Sequence, residues 1–354
     1  MVNIRRVCTL ALSLALLTAC SGTPVQTDAA PDASAEPWEA ADIFLSYATS
    51  QKHQEQSISV ISGNILQESE GRIYCNAYTS EQMGDDDSLL AAVRSGALSM
   101  VQMSTAPQAQ IIPELALLDT PHLFDSPETC NQALNGTLLD FFQPFYNREG
   151  LQLLSWRCSR FRQLSSSFRV ETPADLKRLD IRILDNKYHQ LYWTALGAKT
   201  EVIPFSDLFY SVQQGVVNAQ ENPPNALIDL GLFQFQPYLL LTNHVPFISC
   251  VVMNKECYDS LSPQDQQLIV GIFQDYYSSV DSGVSMLELS EYFLSVDSPS
   301  PALNEAFLQA AGTVKQALRE DLGAEVSDSF YALFAPAPEA ELPPADEGSS
   351  APPS

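Results

Sequence analysis

Residues 199–225 read KTEVIPFSDLFYSVQQGVVNAQENPPN, and this stretch carries the strongest fold signals of the chain. A short β-branched strand is predicted to end at Pro204, because proline cannot continue a strand ladder, and a helix follows it. A second buried strand is predicted over 216–220, with Glu221 and Asn222 at its carboxyl end. Open α/β sheets bind ligands at the carboxyl ends of their strands, so the stretch predicts a binding edge.

The charge balance excludes some classes of partner. The 354 residues include 18 Lys+Arg and 43 Asp+Glu, which gives a net charge of −25. Nucleic acid and anionic lipid surfaces both attract basic patches, so we expect no nucleic-acid partner and no electrostatic docking on lipid. The length and the 45% of hydrophobic residues suffice for two lobes with cores of their own.

The amino-terminal segment predicts export and lipid anchoring. Two arginines precede an apolar run over 7–17, which is too short to span a bilayer, and the run ends in Leu17-Thr18-Ala19-Cys20. This ending matches the lipobox of bacterial lipoproteins, although an ordinary secretory signal with a chance cysteine is the alternative. We expect 1–20 to be a lipoprotein signal peptide ending at lipidated Cys20, and 21–40 to be a disordered tether.

The order of elements predicts an α/β fold with two lobes. Strands and helices alternate from Ile43 to Met103, which favours a parallel sheet with helices on both faces. A helical pattern, broken only softly at Gly283, continues from Pro263 to about Ser295 and would be on the order of 45 Å long. We therefore expect this long helix to bridge both lobes.

The lobe boundaries follow from the predicted crossings of the chain. Residues 41–159 plus 248–287 are assigned to lobe I, and 160–247 plus 288–334 to lobe II. Residues 335–354 contain six prolines, four acidic residues and no basic or aromatic residue. This composition predicts a disordered acidic Pro-rich tail.

The cysteines and histidines show no metal-binding spacing, and we expect no metal and no cofactor. Five cysteines remain after the predicted signal and lipid site, so at least one is unpaired; they are Cys75, Cys130, Cys158, Cys250 and Cys257. Cys158 and Cys250 are predicted near the lobe crossing and could approach each other, with buried free thiols as the alternative. A surface or loop role is expected for the four histidines, which are His53, His122, His189 and His244.

Four motifs together resemble one family. The pattern from Pro204 to Pro223 resembles the signature of the solute receptors of TRAP transporters, the tripartite ATP-independent periplasmic type related to C4-dicarboxylate receptors. Asp-Leu-x-x-Leu-x-Ile-Arg ends at Arg182, Gln-Met-Gly-Asp ends at Asp85, and Tyr-x-x-x-Thr-x-His ends at His244. The similarity covers roughly residues 42–296.

The resemblance implies a fold and a function. It implies a two-lobed periplasmic-binding-protein-like fold that closes on a small carboxylate and delivers it to the membrane subunits of a TRAP permease. No catalysis is expected, and a monomer is expected, held at the cell membrane through the lipid on Cys20. The alternatives are a sensory lipoprotein with the same fold and a cleft enzyme that uses Glu221.

The resemblance also implies the ligand-binding residues. Arg182 matches the family arginine that pairs with the ligand carboxylate, because its planar fork donates two parallel hydrogen bonds; the alternative is a structural salt bridge with a nearby acid. Arg162 is the second candidate, with a solvated surface arginine as the alternative. Asn222 could bind the ligand or stabilise the turn before proline. Phe205 could offer its ring or pack in the core. Glu221 could orient an arginine or accept from a ligand hydroxyl, with a structural role as the alternative.

Replacing Cys20 tests the anchor. Cys20→Ala should release the protein from the membrane, because a secretory signal without the lipid leaves no other anchor. Membrane fractionation after export measures this release. Membrane association that persists after signal cleavage would contradict the lipoprotein assignment.

Overall fold

The computed structural model describes residues 41–49, 55–279 and 285–334. The predicted signal peptide, lipidated Cys20, the tether over 21–40 and the tail over 335–354 lie outside the described residues, as does His53.

The described residues form alternating strands and helices. The strands are β1 (Ile43–Thr49), β2 (Ile73–Tyr78), β3 (Met100–Ser104), β4 (Leu151–Phe161), β5 (Gln163–Ser166), β6 (Asp180–Ile183), β7 (Lys199–Val202), β8 (Ala219–Asn222), β9 (Tyr238–Leu240), β10 (Pro246–Asn254) and β11 (Ser295–Asp297). The α-helices are α1 (Glu55–Glu68), α2 (Ser80–Met83), α3 (Asp86–Arg94), α4 (Thr105–Gln108), α5 (Pro127–Leu134), α6 (Thr137–Arg148), α7 (Pro173–Leu176), α8 (Lys187–Ala195), α9 (Leu208–Gln213), α10 (Pro224–Asp229), α11 (Lys255–Ser260), α12 (Pro263–Ser279), α13 (Met286–Tyr292), α14 (Pro301–Leu322) and α15 (Ala324–Ala332).

Two separate sheets confirm the predicted α/β fold class. In the described part of the chain the first sheet has the order β2-β1-β3-β10-β4 and the second β11-β9-β5-β8-β6-β7. β1 pairs in parallel with β2 and β3, as the alternation of elements predicted. β10 returns from the second sheet and pairs antiparallel with both β3 and β4, so the first sheet is mixed.

The chain crosses between the sheets at Arg162 and again at residues 241–245. β4 belongs to the first sheet and β5 to the second, and Arg162 is the one residue between them. The backbone N–H of Arg162 donates to the carbonyl of Val245 at 2.9 Å, and its carbonyl accepts from the Thr242 hydroxyl at 3.4 Å. These bonds hold the two crossing segments of the chain side by side.

The single long helix predicted from Pro263 to about Ser295 is wrong. α12 ends at Ser279, whereas Ser285 has an extended backbone and its hydroxyl accepts from the Glu288 N–H at 3.2 Å. This serine therefore begins a new helix, because a serine oxygen satisfies an N–H group that the first helical turn leaves free. Ser295 itself lies in β11, which pairs in parallel with β9 of the second sheet.

The helix that bridges both lobes is α14. It has 22 residues, so it is about 33 Å long. Ser300 caps its first turn, and Pro301 takes the position where a missing N–H costs nothing. It packs against α7 and α8 beside the second sheet and against the 3₁₀ helix Pro113–Asp119 beside the first. One apolar core consequently continues through both lobes.

The carboxyl-terminal helix packs on the first-sheet side. The ring of Phe330 in α15 lies 5.6 Å from that of Phe141 and 5.9 Å from that of Phe142, both in α6. The lobe boundaries given above stay a prediction, and this packing places α15 beside lobe I although 288–334 was assigned to lobe II.

Phe307 is a direct test of the bridging helix. Its ring stacks on His122 at 6.0 Å and lies 6.4 Å from Tyr192 of α8, and the rings of His122 and Tyr192 are themselves 6.1 Å apart. Phe307→Ala should lower the free energy of unfolding by about 3–5 kcal/mol, since it leaves a cavity between the lobes. The neighbouring Leu308 is 62% exposed, so Leu308→Ala should change it by under about 0.5 kcal/mol. Equal losses in urea unfolding would contradict this role of α14.

Candidate functional site

The candidate site lies where the parallel strands β6, β7 and β8 end. Arg182 in β6 is in register with Glu201 of β7 and Gln220 of β8. Residues in register point to the same face of a sheet, and successive residues alternate. Arg182 and Gln220 therefore share one face, whereas Glu221 points to the other.

The strand before the two prolines begins later than predicted. It covers Ala219–Asn222 and not 216–220, so Glu221 and Asn222 lie within β8. The reason is the end of α9, where Gly215 has a φ of 68° and the Val216 N–H donates to the carbonyl of Ser211 at 3.0 Å. This helix-terminal turn uses the residues predicted to start the strand.

Arg182 is buried, and within the described ranges its Nε is the guanidinium nitrogen with a hydrogen-bond partner. Its side chain is 2% exposed, and its Nε donates to the carbonyl of Ile203 at 2.8 Å. Among the described residues its guanidinium forms no ion pair, and the neighbouring Asp180 pairs with Lys199 instead. The alternative of a structural salt bridge is therefore wrong. Burial, with the nearby charge of Arg162, lowers the pKa of Arg182 to about 10, so it stays cationic at neutral pH.

Arg162 is also buried, but its guanidinium donates most of its hydrogen bonds to Glu221. Nε donates to Oε2 of Glu221, and Nη2 donates to Oε1 at 3.0 Å, to the Glu221 carbonyl at 2.7 Å and to Oδ1 of Asn222 at 3.0 Å. The side chain is 6% exposed, so the alternative of a solvated surface arginine is wrong. The pairing follows from β5 and β8 being antiparallel, which brings 163 opposite 222.

Glu221 is enclosed by cationic and imidazole donors. Besides Arg162, it lies 3.3 Å from Nδ1 of His189 and 3.2 Å from Nε2 of His244, and it is 0% exposed. Burial alone would raise the pKa of Glu221, but Arg162 and His189 outweigh it and hold that pKa well below its usual range. The carboxylate is therefore ionised at neutral pH.

His189 and His244 are site residues that the sequence analysis missed. Both are buried. The expected surface or loop role is wrong for His189, which lies in α8, whereas His244 lies in the loop before β10, as expected, but is buried there. Burial lowers the pKa of His189, yet the carboxylates of Glu221 and Asp119, the latter 3.6 Å away, raise it to about 9. Burial lowers the pKa of His244, which Glu221 only partly offsets. His244 could have been found, because it ends one of the family motifs, whereas His189 lies in no motif.

Asn222 and Phe205 have different surroundings. Asn222 donates to Oε1 of Gln220 at 2.6 Å, and Gln220 donates to the hydroxyl of Ser165 at 2.6 Å, so a row of polar side chains runs along the β5–β8 pair from Arg162 to Ser165. Phe205 is 54% exposed at the end of β7, and core packing does not fit it. The structure thus brings Arg162, Glu221 and Asn222 into direct contact and leaves Phe205 outside that cluster.

Two surface cavities lie elsewhere. One of about 200 Å³ is bordered by His122, Lys315 and Tyr331, and one of about 300 Å³ by Leu176 and Gln309. None of the predicted ligand-binding residues borders either cavity. The candidate site is therefore identified by its side-chain chemistry and not by cavity volume.

The described ranges also bear on metals and membranes. Within them no group of His, Cys, Asp or Glu side chains is arranged to hold a metal ion. No helix in the same ranges combines the length and the apolar character needed to cross a bilayer.

Comparison with known proteins identifies the family. Residues 44–281 match the family of bacterial extracellular solute-binding proteins, family 7. The chain belongs to this family. The predicted resemblance to TRAP solute receptors is thereby confirmed, and this solute-binding protein acts outside the cytoplasm.

Individual relatives agree with the family match. A solute-binding protein of Verminephrobacter eiseniae is 30% identical over 228 residues, which are 64% of this chain and 68% of that protein. The 2,3-diketo-L-gulonate-binding periplasmic protein YiaO of Escherichia coli is 28% identical over 67% of this chain and 73% of its own length. The crystal structure of a TRAP periplasmic solute binding protein from Polaromonas sp. JS666, bound to D-erythronate, superposes with a TM-score of 0.72 at 23% identity, covering 83% of this chain and all of that one.

The pH dependence of stability tests the charge of His189. A folded-state pKa near 9 against about 6.5 in the unfolded chain means that His189 stabilises the fold fully below pH 6.5. This contribution, up to about 3 kcal/mol, is lost as the pH rises through 9. The stability difference between wild type and His189→Gln in urea unfolding should therefore shrink from pH 6.5 to 9.

His122 is the matched control, because its pKa is lowered to about 4 by burial, with a smaller effect of His244. The sign is then opposite, since wild type should lose stability relative to His122→Gln as the pH falls from 6.5 towards 4. A constant difference between wild type and His189→Gln across pH 6–9 would contradict a cationic His189.

Proposed function

We propose that this protein captures a small organic acid between its two lobes and that Arg182 holds the ligand carboxylate. The observation that carries the proposal is the contrast between the two buried arginines. Arg162 is neutralised by Glu221, whereas Arg182 is charged and forms no ion pair among the described residues. A buried cation without a partner is costly, so a carboxylate that enters the site supplies the missing charge and hydrogen bonds.

Neighbouring groups complete the proposed ligand site. Asn222 is held by Arg162 and Gln220, so its position is fixed before a ligand arrives. The exposed ring of Phe205 lies beyond the carboxyl end of β7 and offers an apolar face to the carbon skeleton of the acid. We assign Arg162 and Glu221 the task of positioning Asn222, because both Glu221 oxygens already accept hydrogen bonds.

The ligands of relatives support the class of ligand. YiaO is named for binding 2,3-diketo-L-gulonate, and the Polaromonas protein binds D-erythronate. Both compounds are small hydroxylated carboxylates. The shared chemistry fits one arginine fork for the carboxylate and amide groups for hydroxyls.

Catalysis is not part of the proposal. The cleft-enzyme alternative requires Glu221 to exchange a proton with a substrate. Glu221 is instead fully buried, and its pKa is held well below neutrality by Arg162 and His189. A carboxylate in this environment is a poor general acid or base.

Delivery and anchoring complete the proposal. We propose that the loaded protein passes its ligand to the membrane subunits of a TRAP permease, as the family implies. The lipobox at Leu17–Cys20 supports attachment to the cell membrane through lipid on Cys20, and a monomer fits a receptor that closes around one ligand.

Replacing Arg182 tests the proposal. The acid is first identified by mass spectrometry of the ligand that co-purifies with the protein. Losing one partner of a buried charged pair costs about 2–5 kcal/mol, so Arg182→Ala should weaken binding by roughly 30-fold or more in calorimetry. Arg182→Lys should also bind poorly, because a point charge does not replace the planar fork.

Arg178 supplies the matched control. It lies four residues before Arg182 in the sequence, is exposed and pairs with Asp175. Arg178→Ala should leave affinity within about threefold of wild type, under ~1 kcal/mol. If folded Arg182→Ala, checked by circular dichroism, also binds within about threefold, Arg182 does not contact the ligand.

A further inference from the structure

We propose that Cys130 and Cys158 form a disulfide bond that fastens α5 to β4 in the exported protein. The proposal rests on the extracellular location of the family and on the packing of these two elements, and it is independent of the ligand. Exported proteins meet an oxidising environment in which adjacent thiols are stable as disulfides.

The two cysteines meet in the core beneath the first sheet. Both are fully buried in the same apolar core, and Trp156, two residues before Cys158 on β4, donates from its indole to the carbonyl of Leu134, one turn after Cys130 on α5, at 2.6 Å. Asn131, the next residue of α5, accepts from the Cys158 N–H at 2.8 Å and donates to its carbonyl at 2.9 Å. These two bonds fix α5 to the backbone of Cys158 one residue from Cys130, so the packing of the helix on the strand brings the two cysteines together.

The other cysteines have different neighbours. The pairing of Cys158 with Cys250 that the sequence left open is disfavoured, because on the paired strands Cys158 is opposite Ile248 and Cys250 opposite Trp156. The Cys250 sulfur instead accepts from Nε2 of Gln108 at 2.9 Å.

Both thiols are free in the structure, so oxidation requires a partner. In thiol–disulfide exchange, one cysteine loses its proton and attacks the disulfide of an oxidised dithiol protein, which gives a mixed disulfide. The second cysteine, also deprotonated, attacks that bond. One S–S bond forms in this chain and the S–S bond of the partner breaks, so the partner leaves as a dithiol that carries the two protons and the two electrons.

Burial determines when this exchange takes place. Burial raises the pKa of the Cys130 thiol, with a further rise from its contact with Cys158, so the folded protein has little thiolate. The partner protein also cannot reach a buried sulfur. The bond therefore forms during folding, before α5 covers β4, and afterwards it resists reductants that act on the native state.

The disulfide bond stabilises the part of β4 that leads to the crossing between the sheets at Arg162. It closes a loop of about 28 residues, and a loop of this length restricts the unfolded chain appreciably. β4 ends at Phe161, immediately before Arg162 of the buried ion pair, so the strand that leads into this pair is fastened near its end.

Peptide mapping tests the proposal on the full chain exported by a bacterial host. Thiols are blocked by alkylation in denaturant, and the protein is digested without reductant. We expect one cross-linked peptide pair that contains Cys130 and Cys158, with Cys75, Cys250 and Cys257 alkylated. Cys130→Ala and Cys158→Ala should lose the pair, and Cys250→Ala, which is buried in the same core, should retain it.

A stability measurement completes the test. Refolding in the presence of reductant should lower the Tm of wild type by about 5 °C or more and leave that of the Cys130→Ala/Cys158→Ala variant unchanged. Alkylation of all five cysteines in exported wild type, or a cross-link between any other pair, overturns the proposal.

Discussion

The buried ion pair of Arg162 with Glu221 is the interaction on which the rest of the structure depends. It joins the residue at which the chain crosses between sheets to the last strand before the two prolines. Removing either partner would leave an uncompensated charge inside the protein, which typically costs about 3–5 kcal/mol. His189 and His244 contact the same carboxylate. One side chain therefore connects the crossing at Arg162, α8 and the loop before β10.

This ion pair also determines which of the two buried arginines is available to bind a ligand. Two buried guanidinium groups near each other repel, and the charge of Arg162 helps to lower the pKa of Arg182. Glu221 accepts hydrogen bonds from Arg162 and also contacts the two histidines, so among the described residues Arg182 has no ion-pair partner. A chain with a net charge of −25 thus places a locally cationic group at the carboxyl ends of its strands. Arg182 attracts an anionic ligand, whereas the negatively charged surface around the site repels it. This arrangement favours a small acid over a large polyanion.

The sequence predicted the α/β class, the two lobes and the edge at which Arg182, Glu221 and Asn222 lie, because motif spacing places these residues at neighbouring strand ends. It could not predict the partner of Glu221, since 59 residues separate it from Arg162 and the contact depends on the antiparallel pairing of β5 with β8. His189 was missed for a similar reason, because its neighbours Asp119 and Glu221 come from different lobes. The bridging helix was misplaced, because a helical pattern reports periodicity and does not show where the capping serine Ser285 starts a new helix.

The most direct test of this account is a crystal structure of the protein with its co-purified acid bound. The account predicts that the ligand carboxylate accepts two hydrogen bonds from the guanidinium of Arg182 at about 2.7–2.9 Å, while Arg162 stays paired with Glu221. It also predicts that Asn222 contacts the same ligand. A carboxylate that binds Arg162 in place of Glu221, or a ligand that makes no contact with Arg182, would contradict it.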